Sequence, residues 1–176
     1  QKGHEAVVRL LLDRGAATDH ANCEGATSLY VSSEKGHETV VRLLVERKAC
    51  VDQPRNDGRT PLWMASHEGH LEVVRHLIQG KADLDRADTE DGCTPLMQAS
   101  QNNHGAVVVT LLEAKAVVNA QDIGRKTVLC GACLAGNLEV VRLLMQKGAD
   151  QALRWMGQDG NHYTAIQILE LPDFNF

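Results

Sequence analysis

At 176 residues, with 43% hydrophobic and 23% charged side chains, the chain has the composition of a globular protein. Its longest apolar runs, such as Val140–Val141 followed by Leu143–Leu144–Met145, fall far short of the ~20 residues a membrane span needs, and a net charge of −5 without a basic stripe argues against a nucleic-acid partner. The five cysteines (Cys23, Cys50, Cys93, Cys130, Cys133) are odd in number and lack disulfide-framework spacing, and no Asn-x-Ser/Thr sequon occurs, which predicts a cytoplasmic or otherwise intracellular setting.

Gln1 opens the chain without an initiator Met or a charged-then-apolar leader, so the sequence reads as a fragment. Sliding the chain against itself reveals a repeat. Val-Val pairs stand at Val7–Val8, Val40–Val41, Val73–Val74, Val107–Val108 and Val140–Val141, in steps of 33, 33, 34 and 33 residues. Gly3–His4, Gly36–His37, Gly69–His70, Asn103–His104 and Gly136–Asn137 keep the same phase, as do Thr27, Thr60, Thr94 and Thr127.

Within a unit, Thr60–Pro61–Leu62 reads as a helix start: the hydroxyl caps orphan N–H groups, and proline sits where its missing N–H costs nothing. That helix runs to about Glu68, Gly69 permits a tight reversal, and a second helix begins near Leu71. Val73, Val74, Leu77 and Ile78 line one face of it, as Val40, Val41, Leu44 and Val45 do one unit earlier. Asp/Asn/Gly-rich stretches such as 55–59 join the units as turns or hairpins. A single unit cannot bury its own apolar face, so the units must stack as an all-α solenoid stabilised by nearest-neighbour interfaces.

The residues Asn56–Asp57–Gly58–Arg59–Thr60–Pro61–Leu62–Trp63–Met64–Ala65, followed by Gly69–His70–Leu71–Glu72–Val73–Val74–Arg75, resemble the ankyrin repeat. Units read from the turn residue fall at 22–54, 55–87, 88–121 and 122–154, with a truncated unit at 1–21 and a degenerate one at 155–176, all in a single domain. The resemblance implies helix-turn-helix units with hairpin connections. It also implies a scaffold that binds another protein through hairpin tips and the concave ends of the first helices. On this sequence that surface comprises Glu24, Ala26, Glu34 and Lys35; Asn56, Asp57, Arg59, His67 and Glu68; Glu90, Asp91, Cys93, Gln101 and Asn102; and Lys126 and Leu134, with Trp155 as a further interface candidate. A second reading makes the chain the intramolecular arm of a larger enzyme or channel.

Departures from the family pattern carry expectations of their own. The histidine after Thr-Pro-Leu is replaced by Tyr30, Trp63, Met97 and Cys130, which predicts apolar packing where the family has a ladder of polar contacts. Lys48, Lys81 and Lys115 replace a helix-ending glycine and are expected in the left-handed conformation. Gly124 stands one residue early, leaving Arg125 at the special turn position and predicting a distorted hairpin. An extra residue lengthens the turn over 88–92, and about four lengthen the one before Thr164. The segment Leu171–Phe176 is read as a cover folding back over the last repeat, with a linker leading onward as the alternative.

The sharper chemical readings are weaker than the structural ones. Cys130–Gly131–Ala132–Cys133 has redox or half-zinc spacing, but both cysteines fall on inward positions of a helix and no second such pair exists. His67–Glu68–Gly69–His70 is one residue short of the metalloprotease helix motif. No phosphate loop, nucleophile elbow or paired carboxylates in a cleft is present, so neither enzymatic activity, a small-molecule substrate, nor a cofactor is expected. Trp63 is read as a seam residue.

Overall fold

The computed structural model describes residues 4–157 and 160–169. After α1 (Glu5–Asp13) come four helix pairs: α2 (Ser28–Glu34) with α3 (Glu38–Glu46), α4 (Pro61–Glu68) with α5 (Leu71–Gln79), α6 (Pro95–Gln101) with α7 (Gly105–Glu113), and α8 (Val128–Leu134) with α9 (Leu138–Gln146). A short antiparallel pair, β1 (Trp155–Met156) and β2 (His162–Tyr163), leads into α10 (Ala165–Leu169), with Trp155 opposite Tyr163.

The first helix of every pair starts as its sequence dictates. Thr27, Thr60, Thr94 and Thr127 are extended, and each hydroxyl accepts the backbone N–H three residues on, at 3.2, 3.1, 3.4 and 3.1 Å. The second helices start differently: His37, His70, His104 and Asn137 make no side-chain cap, and at least three of them reach into the preceding unit instead. The second helices end on Lys48, Lys81 and Lys115 with φ of 64°, 66° and 78°, the left-handed conformation their glycine-like positions require.

First helices α2, α4, α6, α8 and α10 stack in one row, and α1, α3, α5, α7 and α9 stack in a second row against it. Leu29, Leu62, Leu96 and Leu129, with Val41, Val74 and Val108 and Leu44, Leu77, Leu111 and Leu144, form a continuous core; none is more than 5% exposed. Side chains of all four units belong to this one cluster, so burying one unit requires its neighbours. Among the described residues no first helix precedes α1 to cover it, and Val7, Leu10 and Leu11 are each more than half exposed.

Three polar ladders fix the register of the stack. Asn56, Thr89 and Ile123 donate backbone N–H groups to the carbonyls of Glu24, Asp57 and Asp91 in the preceding loop, at 2.9, 3.0 and 2.9 Å. Asp19, Asp52, Asp85 and Asn119 accept from the backbone N–H of Cys50, Asp83, Val117 and Asp150, at 2.8, 3.0, 2.8 and 2.9 Å. His70 and His104 donate Nε2–H to the carbonyls of Glu34 and His67, at 3.1 and 3.0 Å. Each bond is worth about 1 kcal/mol net, and slipping the stack by one residue breaks all of them together.

Beside these ladders, the four positions where apolar packing is expected are packed inside, with polar bonding at Trp63 as well. Tyr30, Trp63, Met97 and Cys130 are indeed buried, at 2%, 4%, 1% and 1% exposure. Trp63, however, donates its indole N–H to both Asp88 Oδ2 at 3.1 Å and the Cys93 carbonyl at 2.9 Å, and the Tyr30 hydroxyl reaches Met64 Sδ at 3.3 Å. An indole that carries a donor into the interior must find an acceptor, and the lengthened turn supplies one.

The loop before Thr127 is also undistorted. Arg125 takes the left-handed position at φ 64°, and the loop closes through Asp122 N–H to Lys126 C=O at 3.1 Å, as Arg55 N–H to Arg59 C=O closes its counterpart at 3.0 Å. The turn over 88–92 absorbs its extra residue by bonding Asp88 N–H to Cys93 C=O at 3.1 Å, while Asp88 Oδ1 accepts from Glu90, Asp91 and Gly92 N–H. The expected cover by 171–176 lies outside the described residues.

Candidate functional site

Two features of each unit project from the helix stack on the same flank: the loop before the first helix and that helix's C-terminal end. The loops are shaped from within. Asn22 Oδ1 accepts from Glu24 and Ala26 N–H at 3.0 and 2.9 Å, Asp57 Oδ1 from Arg59 N–H at 3.2 Å, and Asp122 Oδ1 from Lys126 N–H at 2.7 Å. Side chains not used for shaping therefore point away from the turn. Glu24, Asn56, Glu90 and Asp91 are exposed, and Arg59 and Lys126 are half-buried. Ala26 and Cys93 differ from expectation, being 8% and 5% exposed. Arg59 and Lys126 hold the same place before their capping threonines and stay only half-buried because their side chains are long enough to reach out of it, whereas the short side chains of Ala26 and Cys93 end inside.

The helix ends change character along the stack. Glu34–Lys35, His67–Glu68 and Gln101–Asn102 are charged or polar and half-buried or exposed, while Leu134 in α8 is half-buried. Trp155 is half-buried and packs against the core edge, so only part of its ring faces outward.

The centre of this flank is ordered by cation and aromatic stacking. The Arg59 guanidinium lies 4.8 Å from the centre of the Trp63 ring, and the His67 imidazole stacks on Trp63 at 5.3 Å with an interplanar angle of 11°. Arg55 lies 5.5 Å from the Tyr30 ring centre and pairs with Asp57; Arg59 also reaches Glu90 Oε2 at 2.8 Å. Burial opposes ionisation of Asp57, but the hydrogen bonds from Arg55 and the Arg59 N–H outweigh it and hold the carboxyl below its ordinary range. The same bond raises Arg55. His67 Nδ1 stands 3.0 Å from Gln98 Oε1 and 3.2 Å from Asn102 Nδ2, tying two units together across the flank.

The sequence model for ankyrin repeats matches the chain in three copies, over residues 1–55, 48–122 and 86–155. The chain belongs to the ankyrin repeat family. Among curated proteins none matches it. Ankyrin repeats are in general modules of protein–protein interaction and typically act without catalysis. Among the described residues no helix is long and apolar enough to cross a membrane.

Within this ankyrin stack the cysteine pair faces inward: Cys130 and Cys133 are 1% and 0% exposed on α8. Burial, with the neighbouring Cys130, pushes the Cys133 thiol up to about 12, which keeps it protonated and a poor nucleophile or metal ligand at neutral pH. Burial and the carboxylates of Asp88 and Asp122 likewise push Cys93 up to about 11. Among the described residues no three His, Cys, Asp or Glu side chains gather as a metal site.

Several residues on the flank escaped the sequence reading. Arg55 holds Tyr30 and Asp57, Gln98 links to His67, and Ile123 projects from its loop at 71% exposure. For Ile123 the signal was available: its neighbours in the same loop position are Asn56 and Thr89.

Proposed function

We propose that this chain is a protein-binding scaffold or adaptor, intracellular and non-catalytic, that recognises a partner across the loops and first-helix ends of units running 22–54, 55–87, 88–121 and 122–154. The observation that carries this reading is a contrast between two columns of side chains. Leu29, Leu62, Leu96 and Leu129 are one residue type at one position and at most 2% exposed. The helix-end pairs Glu34–Lys35, His67–Glu68 and Gln101–Asn102 occupy equivalent positions on the same helices, yet differ in charge and shape from unit to unit. Apart from His67 and Asn102, which also link two units, folding asks little of these positions, so their variety is free to encode recognition. Glu24, Asn56, Asp57, Arg59, Glu90, Asp91, Lys126 and Trp155 extend that surface over the loops.

The test compares affinity capture from cells by the parent chain with capture by two variants: His67, Glu68 and Asn102 changed to alanine, and Arg42, Arg75 and Arg142, exposed on the second helices, changed to alanine. A partner retained by the parent and by the arginine variant but lost from the first variant supports the reading. A partner lost only from the arginine variant places recognition on the opposite face and contradicts it.

A further inference from the structure

The loop tips are equivalent residues in each unit: Cys23, Asn56, Thr89, Ile123 and, 33 residues further on, Met156. The first three are small or polar. The last two are large and apolar and remain open to solvent, Ile123 at 71% and Met156 at 56% exposure. Folding does not call for this, since Asn56 and Thr89 fill the same position and make the same backbone bond to the preceding loop. Nor is the Ile123 side chain loose: it lies over Gly92, where a β-carbon would stand 2.9 Å from its Cγ1. In the same unit α8 ends in Leu134 and Ala135, where the earlier first helices end in charged or polar side chains.

Charge changes along the same axis. The first three loops carry Glu24, Asp57, Glu90 and Asp91 against Arg55 and Arg59. The Ile123 and Met156 loops carry Arg125, Lys126 and Arg154; of the acids around them, Glu139 lies on α9, Asp150 accepts from the Ala152 N–H, and Asp122 is engaged with Lys126, its Oδ2 3.5 Å from Nζ. Arg125 and Arg154 are exposed and form no ion pair among the described residues. An apolar patch of this kind beside uncompensated cations complements one sort of occupant.

Resting on the protein-binding reading above, we propose that Ile123, Leu134 and Met156, with Arg125 and Arg154, dock a protein segment that presents a large apolar side chain next to aspartate or glutamate. The apolar side chain seats against the Ile123–Met156 edge, its carboxylates meet the arginines, and the acidic loops upstream repel the segment from lying the other way.

The experiment selects a phage-displayed library of random linear peptides on the whole chain and measures binding of the enriched peptides, made synthetically, by fluorescence anisotropy. Enriched sequences are expected to pair Leu, Ile, Met or Phe with adjacent Asp or Glu. Their affinity should fall about tenfold or more in I123E and in R125G, which keeps the left-handed turn, and change less than about twofold in E24K, with unchanged circular dichroism throughout. Enrichment of basic or purely polar sequences overturns the proposal, and so do binders indifferent to I123E and R125G. If those binders depend instead on His67 and Glu68, the general reading stands and this docking site falls. A library that yields no binder counts against both.

Discussion

The imidazole of His104 lies against the α-carbon of Gly69, one unit earlier, and donates Nε2–H to the His67 carbonyl at 3.0 Å. A β-carbon at Gly69 would stand 2.4 Å from His104 Nδ1, and Gly69 itself holds φ at 77°. His70 and Gly36 repeat the arrangement, with a β-carbon there 2.8 Å from His70 Cε1. At the next seam both partners change together. Asn103 carries a β-carbon at φ 61°, and the shorter Asn137 replaces histidine, donating its amide to the carbonyls of Ser100 and Gln101 at 2.8 and 2.9 Å.

This pairing makes the two substitutions interdependent. G69A should cost roughly 2–4 kcal/mol, because left-handed strain adds to the clash with His104. N137H alone should cost about 1–3 kcal/mol, since the ring meets Asn103, and N103G together with N137H should recover most of it. Urea denaturation of the four-member cycle reads the coupling; N137H as stable as the parent would show that the ring and Asn103 do not compete.

The lysines that end the second helices hold left-handed backbone at a cost glycine does not bear. K48G, K81G and K115G are each expected to stabilise by about 1 kcal/mol, part of the strain relief being offset by the greater freedom of glycine in the unfolded chain. A rise in the denaturation midpoint at unchanged slope checks this, and a fall in all three would contradict the strain assignment.

Ser33, Ser66 and Ser100 stack in one column of the first helices, each 0% exposed, with hydroxyl oxygens that have no hydrogen-bond partner. Cys133 occupies the fourth place in that column. Alanine at the serine positions removes a buried unsatisfied group without opening a large void, so S33A, S66A and S100A should be neutral or stabilising by up to about 1 kcal/mol each. Losses above about 1 kcal/mol in thermal or urea unfolding would mean the hydroxyls are bonded after all.

Thiol chemistry should divide the cysteines by depth. Cys23 and Cys50 are exposed; Cys93, Cys130 and Cys133 are buried. A chromogenic disulfide reagent should label two thiols rapidly in the native chain and all five after unfolding. Burial, followed by the neighbouring Cys130, raises Cys133 from 9.0 to about 12, so the fold favours the protonated thiol. That stability is fully present below the ordinary thiol value and is lost as pH climbs from 9.0 toward about 12, a dependence C133A should weaken, the part from Cys93 remaining. Rapid native labelling of Cys133 would contradict its placement.

Much of this architecture was legible in the sequence because each marker has a local mechanism. A threonine before a helix caps it wherever it stands, and Lys48, Lys81 and Lys115 were readable as left-handed because glycine holds the place in sister units. What escaped depends on partners far away in the chain. The Trp63 indole bonds Asp88, 25 residues on and in the next unit, and no marker around Trp63 names that acceptor. Ala26 and Cys93 were misplaced because Arg59 and Lys126, at the same loop position, are long enough to reach solvent and these two side chains are not. Ile123 was passed over because alignment on polar and glycine markers gives no weight to a tip that departs from them.

Hydrogen exchange of the free chain, resolved by segment, tests most directly whether stability here is shared between neighbouring units. Protection should be greatest in α4, α5, α6 and α7, which have a unit on either side, and lowest in α1, whose Val7, Leu10 and Leu11 lie open. Amides of α1 exchanging as slowly as those of α5 would contradict a stack held together by translated neighbours.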